Sequence, residues 1–126
     1  MIYEIRGKQV MLDSDLAKIY ECTNGTKDIN KAVKRNLNRF PNDFYFQLTE
    51  EEIQKTSLRF QIETLNAHGN NRGQHIKYLP YVFTEQGVAM LATVLRTSIA
   101  SKMSVKIMRA FVKMELKKLI KQLRII

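Results

Sequence analysis

The sequence predicts a small mixed α+β domain with short antiparallel strands and a helix-turn-helix-like unit, closing on a long basic amphipathic helix. Three observations lead there. Two short N-terminal runs rich in strand-forming residues stand on either side of Gly7, a hairpin pattern. Ile29, Val33 and Leu37 recur every four residues among Lys27, Lys31, Lys34 and Arg35, as on a helix with one apolar edge and a basic remainder. Val112, Leu116, Leu119, Leu123 and Ile126 are spaced by four, three, four and three, which is heptad spacing.

Taken in order, residues 3–6 and 9–12 read as two strands turned at Gly7. Asp13, Ser14 and Asp15 offer N-cap oxygens to a short helix over 16–20. Thr23, Asn24, Gly25 and Thr26 break it, with Gly25 able to take a positive φ. The basic helix follows and Pro41 stops it. Short helix, polar turn and basic helix give a helix-turn-helix outline at about residues 13–39. Residues 44–48 form a strand with Phe44, Phe46 and Leu48 on one face. Thr49 and Glu52 then make a capping box for a short helix. A strand over 58–65, a polar loop over 67–74 and an edge or bulged strand over 77–83, marked by Pro80, come next. Thr84 caps a helix over 85–95, and Ser98 caps the last helix.

A chain of 126 residues, 44% hydrophobic and 26% charged, fits one domain with a modest core. Lys or Arg interrupts every apolar run, so no membrane span is expected, and the N-terminus lacks a signal-peptide layout. Cys22 is the sole cysteine, which excludes an internal disulfide and agrees with a cytoplasmic protein. The net charge is +9 and the pI about 9.8, the electrostatic footprint of a nucleic-acid binder. That excess is concentrated. Five cations (Lys27, Lys31, Lys34, Arg35, Arg39) face Asp28 alone between 27 and 39, and eight face Glu115 alone from 98 onward.

Catalytic chemistry is poorly represented. Cys22, His68 and His75 are the only soft metal ligands, and both histidines lie in or beside the polar loop, where such a pair is more often solvated than metal-bound. The five glycines are scattered, and no nucleophile motif occurs. Asp13/Asp15 and Glu50/Glu51/Glu52 are the acid clusters a metal-dependent nuclease would need, but helix starts already favour acids there. The expectation is a binding module that is not an enzyme and takes no cofactor or metal.

Four blocks carry a family resemblance. They are Leu12 to Ala17 with Tyr20; Lys34-Arg35-Asn36 through Arg39-Phe40-Pro41 and Asp43-Phe44 to Phe46-Gln47-Leu48-Thr49; Tyr78-Leu79-Pro80-Tyr81 with Phe83-Thr84-Glu85-Gln86-Gly87 and Ala89-Met90-Leu91; and Ile107 to Val112. Together they resemble the "ORF-six N-terminal" domain, a relative of the KilA-N and Bro-N domains of phages and large DNA viruses. The resemblance runs over about 2–114, dividing the chain into a domain at 1–114 and a C-terminal helix extension at 115–126, the start of a coiled coil or linker. It implies DNA binding within a phage or prophage antirepressor-like regulator of transcription. The alternative is an interaction module that captures a repressor protein or another acidic partner without touching DNA. The turn at 21–26 is longer than the commonest family form, and 69–77 is less arginine-rich.

The candidate DNA-binding residues are Lys27, Lys31, Lys34, Arg35, Asn36, Arg39, Arg72 and Lys77. Lysines neutralise phosphates, arginine pairs with guanine and asparagine with adenine. The plainer reading makes the same helix face solvated, with one or two of Arg35, Asn36 and Arg39 holding the fold beside Phe40-Pro41. Arg72 and Lys77 belong to a wing or to an ordinary solvated hairpin. On the last helix, basic residues opposite the heptad stripe suit the outer face of a homodimer, a DNA-backbone contact or a membrane surface; of these the dimer is favoured and the membrane least.

Overall fold

A computed structural model of the chain describes residues 1–56 and 78–125. The strand expected over 58–65, the loop over 67–74, and with them Arg72, Lys77, His68 and His75, lie outside the described residues.

Strand β1 (Tyr3–Ile5) pairs antiparallel with β2 (Lys8–Leu12), Ile5 opposite Lys8. Arg6 and Gly7 close the turn at φ 56° and 71°, the two-residue hairpin geometry that matches strand twist and favours glycine. Strand β3 (Tyr45–Gln47) and β4 (Tyr81–Thr84) complete a four-stranded antiparallel sheet in the order β1-β2-β4-β3. The expectation that Pro80 marks an edge or bulged strand is corrected. β4 begins just after Pro80 and runs in the interior of the sheet. Proline is tolerated because only its carbonyl is used there, accepting from the Leu48 N–H at 2.9 Å.

Alternation gives the sheet two buried faces. Met11, Phe83 and Tyr45 pair across one face and join the larger core, built with helices α1 (Asp13–Ile19), α2 (Thr26–Arg35), α4 (Glu85–Leu95) and α5 (Ser98–Ile125). Leu12, Val82 and Phe46 line the other face with Ile5, Val10, Leu48 and Ile53, the last from helix α3 (Glu50–Gln54). Thr49 and Glu52 form the expected capping box at α3. Arg6 clamps the hairpin onto this side, bonding the Glu52 carboxylate at 2.7 and 2.9 Å with its guanidinium 4.2 Å from the Phe46 ring centre.

Three local expectations are overturned. Asp13 and Asp15 do not cap α1: Leu12 holds the N-cap position, and both acids are buried inside the first turn. The basic helix stops at Arg35, before a 3₁₀ turn at Leu37–Arg39, because the Asn36 amide folds back onto the Ala32 carbonyl at 2.9 Å. Leu37 therefore leaves the apolar stripe and is 57% exposed. At α5 the capping oxygen is that of Thr97, accepting from the Ala100 N–H at 3.1 Å, and Ser98 is the first helical residue.

Candidate nucleic-acid interface

Helix α1, a turn over residues 20–25 and helix α2 form the unit on which the candidate residues sit. Six residues of turn are more than the three or four usual in a helix-turn-helix, and their geometry is determined locally. Cys22 and Glu21 N–H groups return to the carbonyls of Ala17 and Lys18 at 2.9 and 3.1 Å, closing α1 with Glu21 left-handed at φ 54°. Gly25 then takes φ 61° and ψ −138°, a conformation open to glycine and strained for other residues, and launches α2. Asp28 holds the turn to the helix, accepting from the Asn24 N–H at 3.1 Å and its side-chain amide at 3.2 Å. Those two bonds, and the positive charge of Lys31, hold the Asp28 carboxyl below its ordinary value. The one acid in the basic segment is thus occupied within the turn.

Ile29 and Val33 are buried in the larger core and Ala32 packs beside them, which fixes the rotation of α2. At 100° per residue, Lys27, Lys31, Lys34 and Arg35 fall in an arc centred about 180° from that buried edge. All four are exposed, as is Arg39 on the 3₁₀ turn. Among the described residues the ion pairs are Arg6–Glu52, Lys55–Glu51 and Lys118–Glu4, and none uses a cation of this arc. Asn36 is half-buried with its amide on Ala32, so it holds the helix end in this structure and is not presented with the lysines. The sequence pattern did not single out Leu37, which resembled a core residue, yet it stands exposed between Arg35 and Arg39. Only the end of α2 at Arg35 reveals it.

The acid clusters are placed elsewhere. Asp13 is buried and accepts from the Tyr78 hydroxyl, from the Tyr81 N–H at 3.3 Å and from the Ser14 N–H at 2.7 Å. Burial pushes its carboxyl above the ordinary aspartate value against those bonds, and Asp15 adds repulsion. The Tyr78 hydroxyl is itself pushed up by burial and by the bond to Asp13, so it stays a donor. Its oxygen also lies 3.5 Å from the Asn30 amide, joining the segment before β4 to α2. Glu50, Glu51 and Glu52 lie in the first turn of α3, with Glu51 on Lys55 and Glu52 on Arg6. Among the described residues no group of three or more His, Cys, Asp or Glu is placed to hold a metal ion. Nor is any described helix long and apolar enough to cross a membrane.

A family model described as the ORF6N domain matches residues 1–94, which covers the sheet, α1 to α3 and nearly all of α4. Comparison with curated proteins and with solved structures gives no match.

Proposed function

The chain belongs to the ORF6N domain family, and we propose that it is the DNA-binding part of a phage or prophage antirepressor-like regulator, a binding module and not an enzyme. The observation that carries this reading is the outer face of α2: four exposed cations opposite a buried apolar edge, none of them in an ion pair among the described residues. A helix held from behind and charged in front is the form in which helices enter a major groove. Lys27, Lys31 and Lys34 neutralise phosphates, while Arg35 and Arg39 reach guanine edges and Leu37 offers an apolar contact to a thymine methyl.

The test is a binding titration against mixed duplexes at several salt concentrations, with a Lys31→Ala/Lys34→Ala/Arg35→Ala protein in parallel. All three side chains are exposed, so the variant keeps its fold, as circular dichroism checks. Wild-type affinity falls steeply with salt, and the variant binds more weakly with a shallower slope, by roughly 0.9 for each phosphate it no longer neutralises. Absence of wild-type binding even at low salt would overturn the reading and leave capture of an acidic protein as the use of this face.

A further inference from the structure

Helix α5 has three different sides. At 100° per residue, the buried Ala100, Ser104, Ile107 and Phe111 fall within about 60° of one another. This side packs on α4 and the larger core, where the Ser104 hydroxyl bonds Tyr20 at 2.8 Å. Val105, Val112, Leu116, Leu119 and Leu123 form a second band, centred about 120° further round. Each is more than half exposed, from 51% at Val105 to 62% at Leu123. Lys102, Lys106, Lys113, Lys117 and Arg124 form a third band, about 100° beyond that. The apolar band runs about 27 Å from Val105 to Leu123. Because it is not the side that docks, the described residues of its own domain leave it open along its whole length, and every residue from Val112 to Arg124 is exposed.

We infer that this band pairs with the same band of a second copy of the chain, the two α5 helices lying parallel. The inference is independent of the DNA-binding reading. The 4-3-4-3 spacing from Val112 to Ile126 is the repeat by which two helices keep one seam in contact. The charges beside the seam choose the partner. On one flank the groove is lined by Glu85, Glu115 and Lys118, the lysine being paired with Glu4, so that this flank stays acidic. On the other it is lined by Arg109 and Lys113. In a parallel pair each acidic flank meets the partner's basic flank, whereas an antiparallel pair sets like against like. A bilayer of anionic lipid fits less well, since the acidic flank and the folded domain beside it would face the headgroups. With two heptads of seam the pair is weak and reversible, and its population depends on protein concentration.

Sedimentation equilibrium on the whole chain without DNA tests this, from low to high micromolar concentrations. The wild type passes from monomer to dimer. Leu116→Asp/Leu119→Asp places charges in the seam and weakens self-association by about tenfold or more. Its circular dichroism at low concentration is unchanged, because both side chains are exposed in the single chain. Orientation is read from Leu116→Cys in a Cys22→Ser background: a parallel pair forms a disulfide-linked dimer under mild oxidation. A wild type that stays monomeric throughout overturns the inference, as does a monomer that sediments with vesicles of anionic lipid. A dimer that fails to cross-link at Leu116→Cys overturns the parallel pairing.

Discussion

At Gly87 one methyl group decides whether α4 can sit where it does. A Cβ there would lie 1.9 Å from the Phe44 carbonyl oxygen and 2.8 Å from its carbon. That carbonyl already accepts the Thr84 N–H at 3.0 Å, so it cannot retreat without breaking the junction of β3, β4 and α4. Gly87→Ala is therefore expected to cost about 2–3 kcal/mol, read as a lower urea midpoint. A variant as stable as the wild type would mean that α4 shifts freely. Asp13 carries a different consequence. Burial raises its native pKa, so over a window above the ordinary aspartate value the folded chain keeps a proton that the unfolded chain has released. Stability contributed by this group then falls as the pH rises through that window and is level above it. Asparagine retains an acceptor for the Tyr78 hydroxyl and the Tyr81 N–H without the charge. The Asp13→Asn protein is expected to gain on the wild type as the pH rises through the window, with unfolding followed at each pH. A difference constant with pH would show that the Asp13 carboxyl titrates alike in both states.

Elements begin and end here for reasons that differ in range, and this determines what could be read from sequence. Thr49 and Glu52, three residues apart, satisfy each other's backbone groups, so the capping box of α3 was legible. Thr84 was legible as the α4 cap for the same reason, since it accepts from the Gly87 N–H at 3.3 Å. Its hydroxyl also donates to the Asp43 carbonyl at 2.8 Å, a contact across 41 positions that no local pattern announces. Thr84→Ala is accordingly expected to cost about 2 kcal/mol, more than the about 1 kcal/mol of Thr49→Ala, because it removes a buried cap and a tertiary bond together. Equal costs in denaturant titrations would show that the bond to Asp43 contributes nothing net. Asp13 and Asp15 looked like caps because their burial is imposed from afar: for Asp13, the partners Tyr78 and Tyr81 lie 65 and 68 positions on. Leu37 looked like core because the four-residue period continues past Arg35, while the Asn36 bond to Ala32 ends the helix that gives the period meaning. The cations of α2 were legible in full, since two buried residues, Ile29 and Val33, suffice to orient the helix.

Across the molecule the net charge is +9, and among the described residues the cations gather in two separate arrays, one on α2 and its 3₁₀ turn and one on α5. Two acids that would neutralise it are committed elsewhere, Glu52 to Arg6 and Glu51 to Lys55, while Glu4 pairs with Lys118 of the α5 array. A polyanion therefore meets two basic surfaces, and overall attraction alone does not say which one it touches. The two separate by a comparison at fixed net charge. Lys31→Ala/Lys34→Ala/Arg35→Ala and Lys106→Ala/Lys113→Ala/Lys117→Ala each remove three positive charges, all from exposed positions. Long-range attraction falls equally in both, so any difference in salt slope reports direct pairing with phosphate. If α2 lies in the groove, its variant drops about 1.8 from the slope of log affinity against log salt, at about 0.9 for each of the phosphates that Lys31 and Lys34 no longer neutralise. The α5 variant then drops less than about 1. Fluorescence anisotropy on one duplex at several salt concentrations, below the concentration at which the chain self-associates, makes the comparison. Equal drops would assign the attraction to the general field of the molecule, and a larger drop from the α5 variant would move the DNA from the short helix to the long one.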